Sequence, residues 1–270
     1  MKDTIKEYVA NLFAEGKIKG FLALREHDSH VGPHLFTKAE ELDSLSLADY
    51  REQGDSRYPL DKILTKLAHK YPTDTFAVLV RGCDERGLQQ LFAVSKLHRD
   101  RVIPVGFCCP SELAQKHGCW KPYPDAAVAG EPALPFGGDK AAATTGVDIL
   151  AELQEWFDTF DRCVKCYGCR NICPVCYCDE CTLEEASLIP RGEIPPANPN
   201  FLMTRAIHMV GRSLCIYCGL CEEVCPADIP LKSLYKLVAK VMGQEAETPE
   251  AKAATHALAT EQTNKAIANE

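Results

Sequence analysis

The sequence predicts two parts of different class. The first is an α/β N-terminal domain, a small and mostly parallel sheet with helices; the second is a largely helical, cysteine-rich domain. Three observations carry this. Residues 76–107 run from an apolar segment through an amphipathic one to a second apolar segment, the pattern of a strand–helix–strand unit. Eleven of the fifteen cysteines fall within the 63 residues from Cys163 to Cys225. Within that stretch one spacing occurs twice: Cys163, Cys166, Cys169 and Cys173 precede Pro174, and Cys215, Cys218, Cys221 and Cys225 precede Pro226.

The elements follow in order. Residues 4–15 place Ile5, Val9, Leu12 and Phe13 on one helical face. Phe21–Arg25 and Leu35–Thr37 read as short strands around a polar turn carrying His27, His30 and His34. No cysteine stands beside those histidines, so a solvated loop is favoured over a metal site. Leu60–Lys70 is a helix by period, Phe76–Val80 a buried strand, Arg81–Asp84 its turn, Glu85–Leu97 a helix and Val102–Phe107 the next strand. Groups at the carboxyl ends of parallel strands face the usual ligand crevice. Cys83 follows the first strand and Cys108 and Cys109 follow the second, so these cysteines are expected at one sheet edge, with Cys119 able to join them. Small buried hydrophobes are the alternative reading of the same residues.

Residues 121–146, rich in Pro, Gly and Ala, read as a linker or covering loop. Residues 147–160 form a helix leading into the first cysteine run, where Trp156 and Phe157 are either core or a shield against water. An acidic, proline-rich connection over 182–200, a helix over 201–210 and a helix after Ile229 frame the second run. From Gln244 the tail is polar. The expected organisation is therefore 1–146 as the α/β domain, 147–243 as the iron–sulfur domain and 244–270 as the tail.

The repeated C-x2-C-x2-C-x3-C-P spacing is that of two-cluster ferredoxins, in which three closely spaced thiolates hold one cubane and the fourth reaches the other. On that rule Cys163, Cys166, Cys169 and Cys225 hold one [4Fe-4S] cluster, and Cys215, Cys218, Cys221 and Cys173 hold the second. Structural zinc uses paired C-x2-C units and four ligands, which does not match. Amides of Gly168, Gly219 and their neighbours are expected donors to cluster sulfur. Cys176, Cys178 and Cys181 remain after the first run. With one of Cys83, Cys108, Cys109 or Cys119 they suit a third iron–sulfur cluster, zinc or unligated thiols being the alternatives.

Composition narrows the function. With 270 residues and 46% hydrophobic content the chain can bury a substantial core, and its net charge of -8 argues against non-specific nucleic-acid binding. No apolar run is long enough to span a bilayer, so no direct membrane insertion is expected. The opening MKDTIKEYVANLFAEGK has no signal-peptide core, and the expected setting is a reducing, anaerobic cytoplasm.

The whole resembles the beta-subunit family of formate dehydrogenases and deazaflavin-reducing hydrogenases over roughly residues 60–235. FAVLVRGCDERGLQQLFAVSKLHRDRVIPVGFCC carries one part of the likeness; RCVKCYGCRNICPVCYCDEC and HMVGRSLCIYCGLCEEVCPADIPL carry the other. The resemblance implies an electron-transfer subunit beside a catalytic dehydrogenase or hydrogenase subunit, with a heterodisulfide-reductase-like assembly as acceptor. It also raises a flavin-containing subunit that exchanges hydride with a soluble coenzyme. The chain departs from that second pattern, having no G-x-G-x-x-G loop and no residue that matches a flavin ligand. A module with purely structural or sensing clusters is the third class, separable by redox titration.

Overall fold

The computed structural model describes residues 1–28, 30–47, 57–133, 149–189 and 199–244. By its contacts the chain divides into two compact units. Unit 1 is Met1–Asp139 with Cys169–Tyr177, and unit 2 is Lys140–Gly168 with Cys178–Glu270.

Unit 1 begins with helix α1 (Lys2–Ala14), followed by strands β1 (Gly20–His27) and β2 (His30–Phe36), a 3-10 turn at Ala39–Ser44 and the short strand β3 (Leu45–Ser46). Helix α2 (Leu60–Lys70), strand β4 (Phe76–Val80), helix α3 (Gly82–Ala93), strand β5 (Val102–Phe107), helix α4 (Ser111–Lys116) and strand β6 (Ala127–Ala129) complete it. The sheet order is β2-β1-β4-β5-β6, with β3 also paired to β1. The β1–β4, β4–β5 and β5–β6 pairs are parallel, and the β1–β2 and β1–β3 pairs antiparallel. The α/β class and the mostly parallel sheet are as the sequence predicts.

All five residues of β4 are buried. Successive strand residues point to opposite faces, so both faces of the sheet are covered at this strand. That is why FAVLV carries no polar alternation. Ile5 and Val9 of α1, Leu64 of α2, and Leu88 and Leu91 of α3 have no exposed surface and join Phe21, Phe36, Val78 and Val105 in one core. Each such side chain contributes roughly 1.5–3 kcal/mol by leaving water.

Several local expectations are corrected. The hairpin between β1 and β2 is tight, and His27 and His30 face each other across it in register. His34 lies within β2 opposite Ala23, with its ring edge-on to Phe36 at 4.8 Å. The three histidines therefore belong to strands and not to a long polar turn. Helix α3 begins at Gly82, three residues earlier than its apolar pattern suggests. The cause is a cap: the Arg81 amide donates to Asp84 Oδ2 at 2.9 Å, satisfying a donor at the helix start. Strand β6 falls inside the stretch read as linker. It pairs only through Gly106↔Ala127 and Phe107↔Ala129, with an irregularity between them, too short to leave a sequence period. Residues 134–146 of that stretch lie outside the described residues, as do 190–198 of the proline-rich connection and 245–270 of the tail.

Unit 2 contains helix α5 (Ile149–Phe160), the start of the four-residue helix α6 (Gly168–Asn171), helices α7 (Asn200–Gly211) and α8 (Leu220–Glu223), and helix α9 (Leu231–Val241). α7 buries Phe201, Leu202, Arg205, Ala206, Met209 and Val210, and α9 buries Leu231, Leu234, Tyr235, Leu237, Val238 and Ala239. Both sets follow the three-and-four spacing of an amphipathic helix. The two helices pack on each other. No described helix is long and apolar enough to cross a membrane.

Gly82 marks the tightest backbone approach in unit 1. A Cβ there would lie 2.2 Å from the Lys121 carbonyl oxygen and 2.6 Å from that of Tyr123. Gly82→Ala is expected to destabilise the protein by about 1–3 kcal/mol, because backbone on the far side cannot yield. Gly32→Ala, with nothing within 4 Å, serves as the control and should stay within about 0.5 kcal/mol of the parent. Urea unfolding midpoints measure both.

Candidate metal centre

The two cysteine runs repeat in backbone as well as in sequence. Lys165 and Tyr217, each just before the second cysteine, have φ of 52° and 51°. Tyr167 and Gly219, each just after it, have φ of 60° and 79°. Left-handed residues at these points reverse the chain around the sulfurs. The amide of Lys165 donates to Cys163 Sγ at 3.4 Å, and the amide of Tyr217 donates to Cys215 Sγ at the same distance. The Gly168 amide donates to Cys166 Sγ, also at 3.4 Å.

The correspondence continues through each run. Cys173 N bonds Arg170 O, and Cys225 N bonds Glu222 O at the matching position. Cys176 N bonds Cys173 O, and Asp228 N bonds Cys225 O. The prolines after the fourth cysteines lie at the same point of each run, where a fixed φ and a missing donor end the turn.

Different elements hold the two runs. Cys163 and Cys166 lie in unit 2 with Cys215, Cys218, Cys221 and Cys225, while Cys169, Cys173 and Cys176 lie in unit 1. The unit 1 segment is tied down locally: Lys62 Nζ donates to the carbonyls of Arg170 and Asn171 at 3.2 and 3.0 Å, and Tyr177 packs against the sheet core under Lys96. In unit 2 the Tyr167 ring meets Phe201 edge-on at 5.0 Å, and its hydroxyl donates to Leu183 O at 3.2 Å. Behind the second run, Glu222 Oε1 accepts the Lys232 amide at 2.7 Å and so caps the start of α9. Trp156 stacks on Phe160 at 6.0 Å, whereas Phe157 is exposed.

The chemistry of the donor set fits iron–sulfur clusters. All fifteen cysteines lack a disulfide. Amide donors already face the sulfurs, and such bonds favour a thiolate over a thiol. Burial pushes the Cys163 thiol up, and the Lys165 amide opposes that rise. Among the described residues no three His, Cys, Asp or Glu side chains gather as ligands of a single ion. A single ion draws its ligands to one point, as zinc does; a cubane spaces four thiolates around a cage.

Cys178 and Cys181 lie in unit 2 and Cys176 in unit 1. His208, which the sequence reading did not select, sits with Nε2 3.9 Å from Cys178 Sγ. Burial, with Arg212 and Arg205, lowers its pKa and favours the neutral imidazole. No signal short of the fold pairs a histidine in the last turn of a helix with a loop cysteine thirty residues earlier.

Cys83, Cys109 and Cys119 all lie in unit 1. Cys83 lies in the first turn of α3, Cys109 two residues beyond β5, and Cys119 after α4. Each of the pairs Cys83–Cys109 and Cys109–Cys119 is close enough for the thiolates to repel. Burial pushes the Cys83 thiol well up and Cys109 up to about 11, and both feel Arg57 and Asp84. Cys108 takes another direction, with its amide on Ala129 O and its side chain buried beside Gly130.

Comparison with known proteins bears on the second run first. Residues 209–230 match the 4Fe-4S binding domain. The chain is also similar to curated beta subunits. It is 45% identical over 83 residues to the F420-dependent formate dehydrogenase subunit beta of Methanocaldococcus jannaschii, covering 31% of this chain and 21% of that protein. It is 46% identical over 57 residues to the F420-dependent formate dehydrogenase 1 subunit beta of Methanococcus maripaludis, covering 21% of this chain and 14% of the relative. A third likeness, 30% over 93 residues, is to NADH-quinone oxidoreductase subunit I 2 of Aquifex aeolicus, covering 31% of this chain and 38% of that protein. The matched stretch therefore spans about a fifth or less of the formate dehydrogenase relatives.

The Glu222 contact yields a local prediction. Glu222→Ala should cost about 1 kcal/mol, the usual loss of a side-chain cap at a helix start. Glu222→Gln, which keeps an acceptor oxygen, should recover most of it. Denaturant melts of both variants against the parent protein measure the difference.

Proposed function

We propose that this chain is an iron–sulfur electron-transfer subunit of a formate dehydrogenase-type oxidoreductase. The observation that carries the reading is the duplicated loop, with left-handed residues and amide-to-sulfur bonds recurring at matching positions of both cysteine runs. The 4Fe-4S match over 209–230 and the likeness to formate dehydrogenase beta subunits support it.

In this reading Cys163, Cys166, Cys169 and Cys225 ligate one [4Fe-4S] cluster, and Cys215, Cys218, Cys221 and Cys173 ligate the second. Such clusters accept and release single electrons at potentials set by hydrogen bonds, net charge and solvent exposure. The chain's own residues supply those settings. The amides of Lys165, Gly168 and Tyr217 donate to ligand sulfur and withdraw electron density from it. Tyr167 and Phe201 pack beside the first loop. No nucleophile or general base is required of the chain, because no bond to carbon or hydrogen need be broken on it.

The donor in this reading is a catalytic dehydrogenase or hydrogenase subunit and the acceptor a heterodisulfide-reductase-like assembly, in a reducing cytoplasm. Anaerobic affinity purification followed by identification of the co-purifying chains tests the pairing. Isolation without any oxidoreductase subunit would overturn it.

The ligand assignment predicts a metal count. Cys215→Ser and Cys163→Ser should each remove about four irons and four sulfides from the anaerobically purified protein, one cubane's content. Iron and acid-labile sulfide assays, with electron paramagnetic resonance of the reduced protein, read the loss. Unchanged iron in both variants would sink the assignment.

A further inference from the structure

A lysine of the α/β unit reaches into the first cysteine run. Lys62, the third residue of α2, donates from Nζ to the Arg170 and Asn171 carbonyls at 3.2 and 3.0 Å. Those two residues stand on the link between Cys169 and Cys173. We propose that Lys62 is a positioning residue for electron transfer: its ammonium fixes that link and, through its charge, raises the reduction potential of both clusters. The proposal rests on the two-cluster reading above, in which Cys169 serves one cluster and Cys173 the other.

The place of Lys62 on its helix is a poor one for helix stability alone. The first turn carries unsatisfied N–H groups and the positive end of the helix dipole, so a cation there is disfavoured. Nor does the lysine pair with the acid beside it, since successive helix residues do not face each other. Asp61 is 1% exposed, and neither of its carboxylate oxygens has a hydrogen-bond partner. The ammonium is directed instead at carbonyls 108 and 109 residues away in the chain. Helix α2 is a firm base for that reach: Leu60 and Leu64 are buried, and the helix packs on β4 and α3. Lys62 and the segment Cys169–Tyr177 belong to the same unit.

The contact acts on a ligand through one shared group. The last carbonyls of a helix have no partner within it. Arg170 O, near the end of the four-residue α6, receives both the Lys62 ammonium and the Cys173 amide, the latter at 3.4 Å. Movement of the lysine is therefore felt at Cys173 through a single oxygen.

The charge has its own effect. Reduction adds one electron, and so one negative charge, to a cubane, and net charge is among the settings of its potential. A cation held on the link favours the reduced form of the cluster at either end. Arg170 adds a second positive charge, with Nε held on Asn171 Oδ1 at 3.2 Å. At the matching positions of the second run stand two acids, Glu222 and Glu223. Positive charge is thus gathered on one link of the pair, and a helix outside the run supplies part of it. A neutral donor would tie the same carbonyls; a cation also moves the potential, and that difference separates positioning with charge from a purely structural tether.

The test uses the full chain, purified without oxygen. Dithionite titration followed by electron paramagnetic resonance reads the midpoint potentials of both clusters in the parent, Lys62→Met, Lys62→Gln and Lys62→Arg. At a fixed potential the reduced-to-oxidised ratio of both clusters should fall by about three- to tenfold in Lys62→Met, tenfold being about 59 mV for one electron. Lys62→Gln, which keeps a donor and loses the charge, should fall with it. Lys62→Arg should stay within about twofold of the parent, with iron and acid-labile sulfide unchanged.

Unchanged potentials in the two neutral variants overturn the proposal. So does an equal fall in Lys62→Arg, or a fall in one cluster alone. Should Lys62→Met lose its clusters, Lys62→Gln against Lys62→Arg carries the comparison. Loss of iron from both neutral variants leaves the lysine a structural part alone and also overturns the proposal. The two readings fail separately: a parent protein without iron sinks the two-cluster reading itself, whereas an iron-replete parent whose potentials ignore residue 62 sinks this proposal alone.

Discussion

The structure turns on aiming backbone amides at cysteine sulfur. A thiolate carries charge that must be met. The chain meets it with its own N–H groups, which requires two left-handed residues around the second cysteine of each run. Three of the four are not glycine, so each costs about 1–2 kcal/mol of backbone strain. Strain of that size, repeated at matched positions, persists only where surrounding contacts over-determine it. The Tyr167 ring on Phe201 and the Glu222 cap on α9 are two such contacts.

The sheet poses a related problem with a different solution. Parallel strands deliver whatever follows them to one edge, and β4 and β5 deliver cysteines. A covering loop then closes over the edge, made possible by the absence of a side chain at Gly82. The loop is bound through Glu85, Arg86 and Lys121, and it brings Cys119 with it. Burial raises the thiols of Cys83 and Cys109, which favours their neutral forms.

Much of this was legible in the residues. Strands Phe76–Val80 and Val102–Phe107 and helix Leu60–Lys70 follow the apolar pattern to the residue, because core burial and hydrophobic period are the same constraint. That Cys83 and Cys109 follow neighbouring parallel strands was likewise legible from the strand–helix–strand pattern. What escaped depends on tertiary contact. The start of α3 is set by the Asp84 cap, β6 by two pairings to an edge, and the His208–Cys178 contact by a packed helix. The isolation of Asp61 could not be read at all, since an acid in the first turn of a helix is ordinarily solvated.

The two cysteine loops share a backbone trace yet differ in bulk. Where the first carries Tyr167, the second carries bare Gly219. Yet the second loop is the more enclosed: Ile216, Tyr217 and Gly219 are buried, whereas Val164 and Cys166 of the first are exposed. Clusters seated on the pair would therefore meet water to different degrees, so that a duplicated motif gives two unlike surroundings.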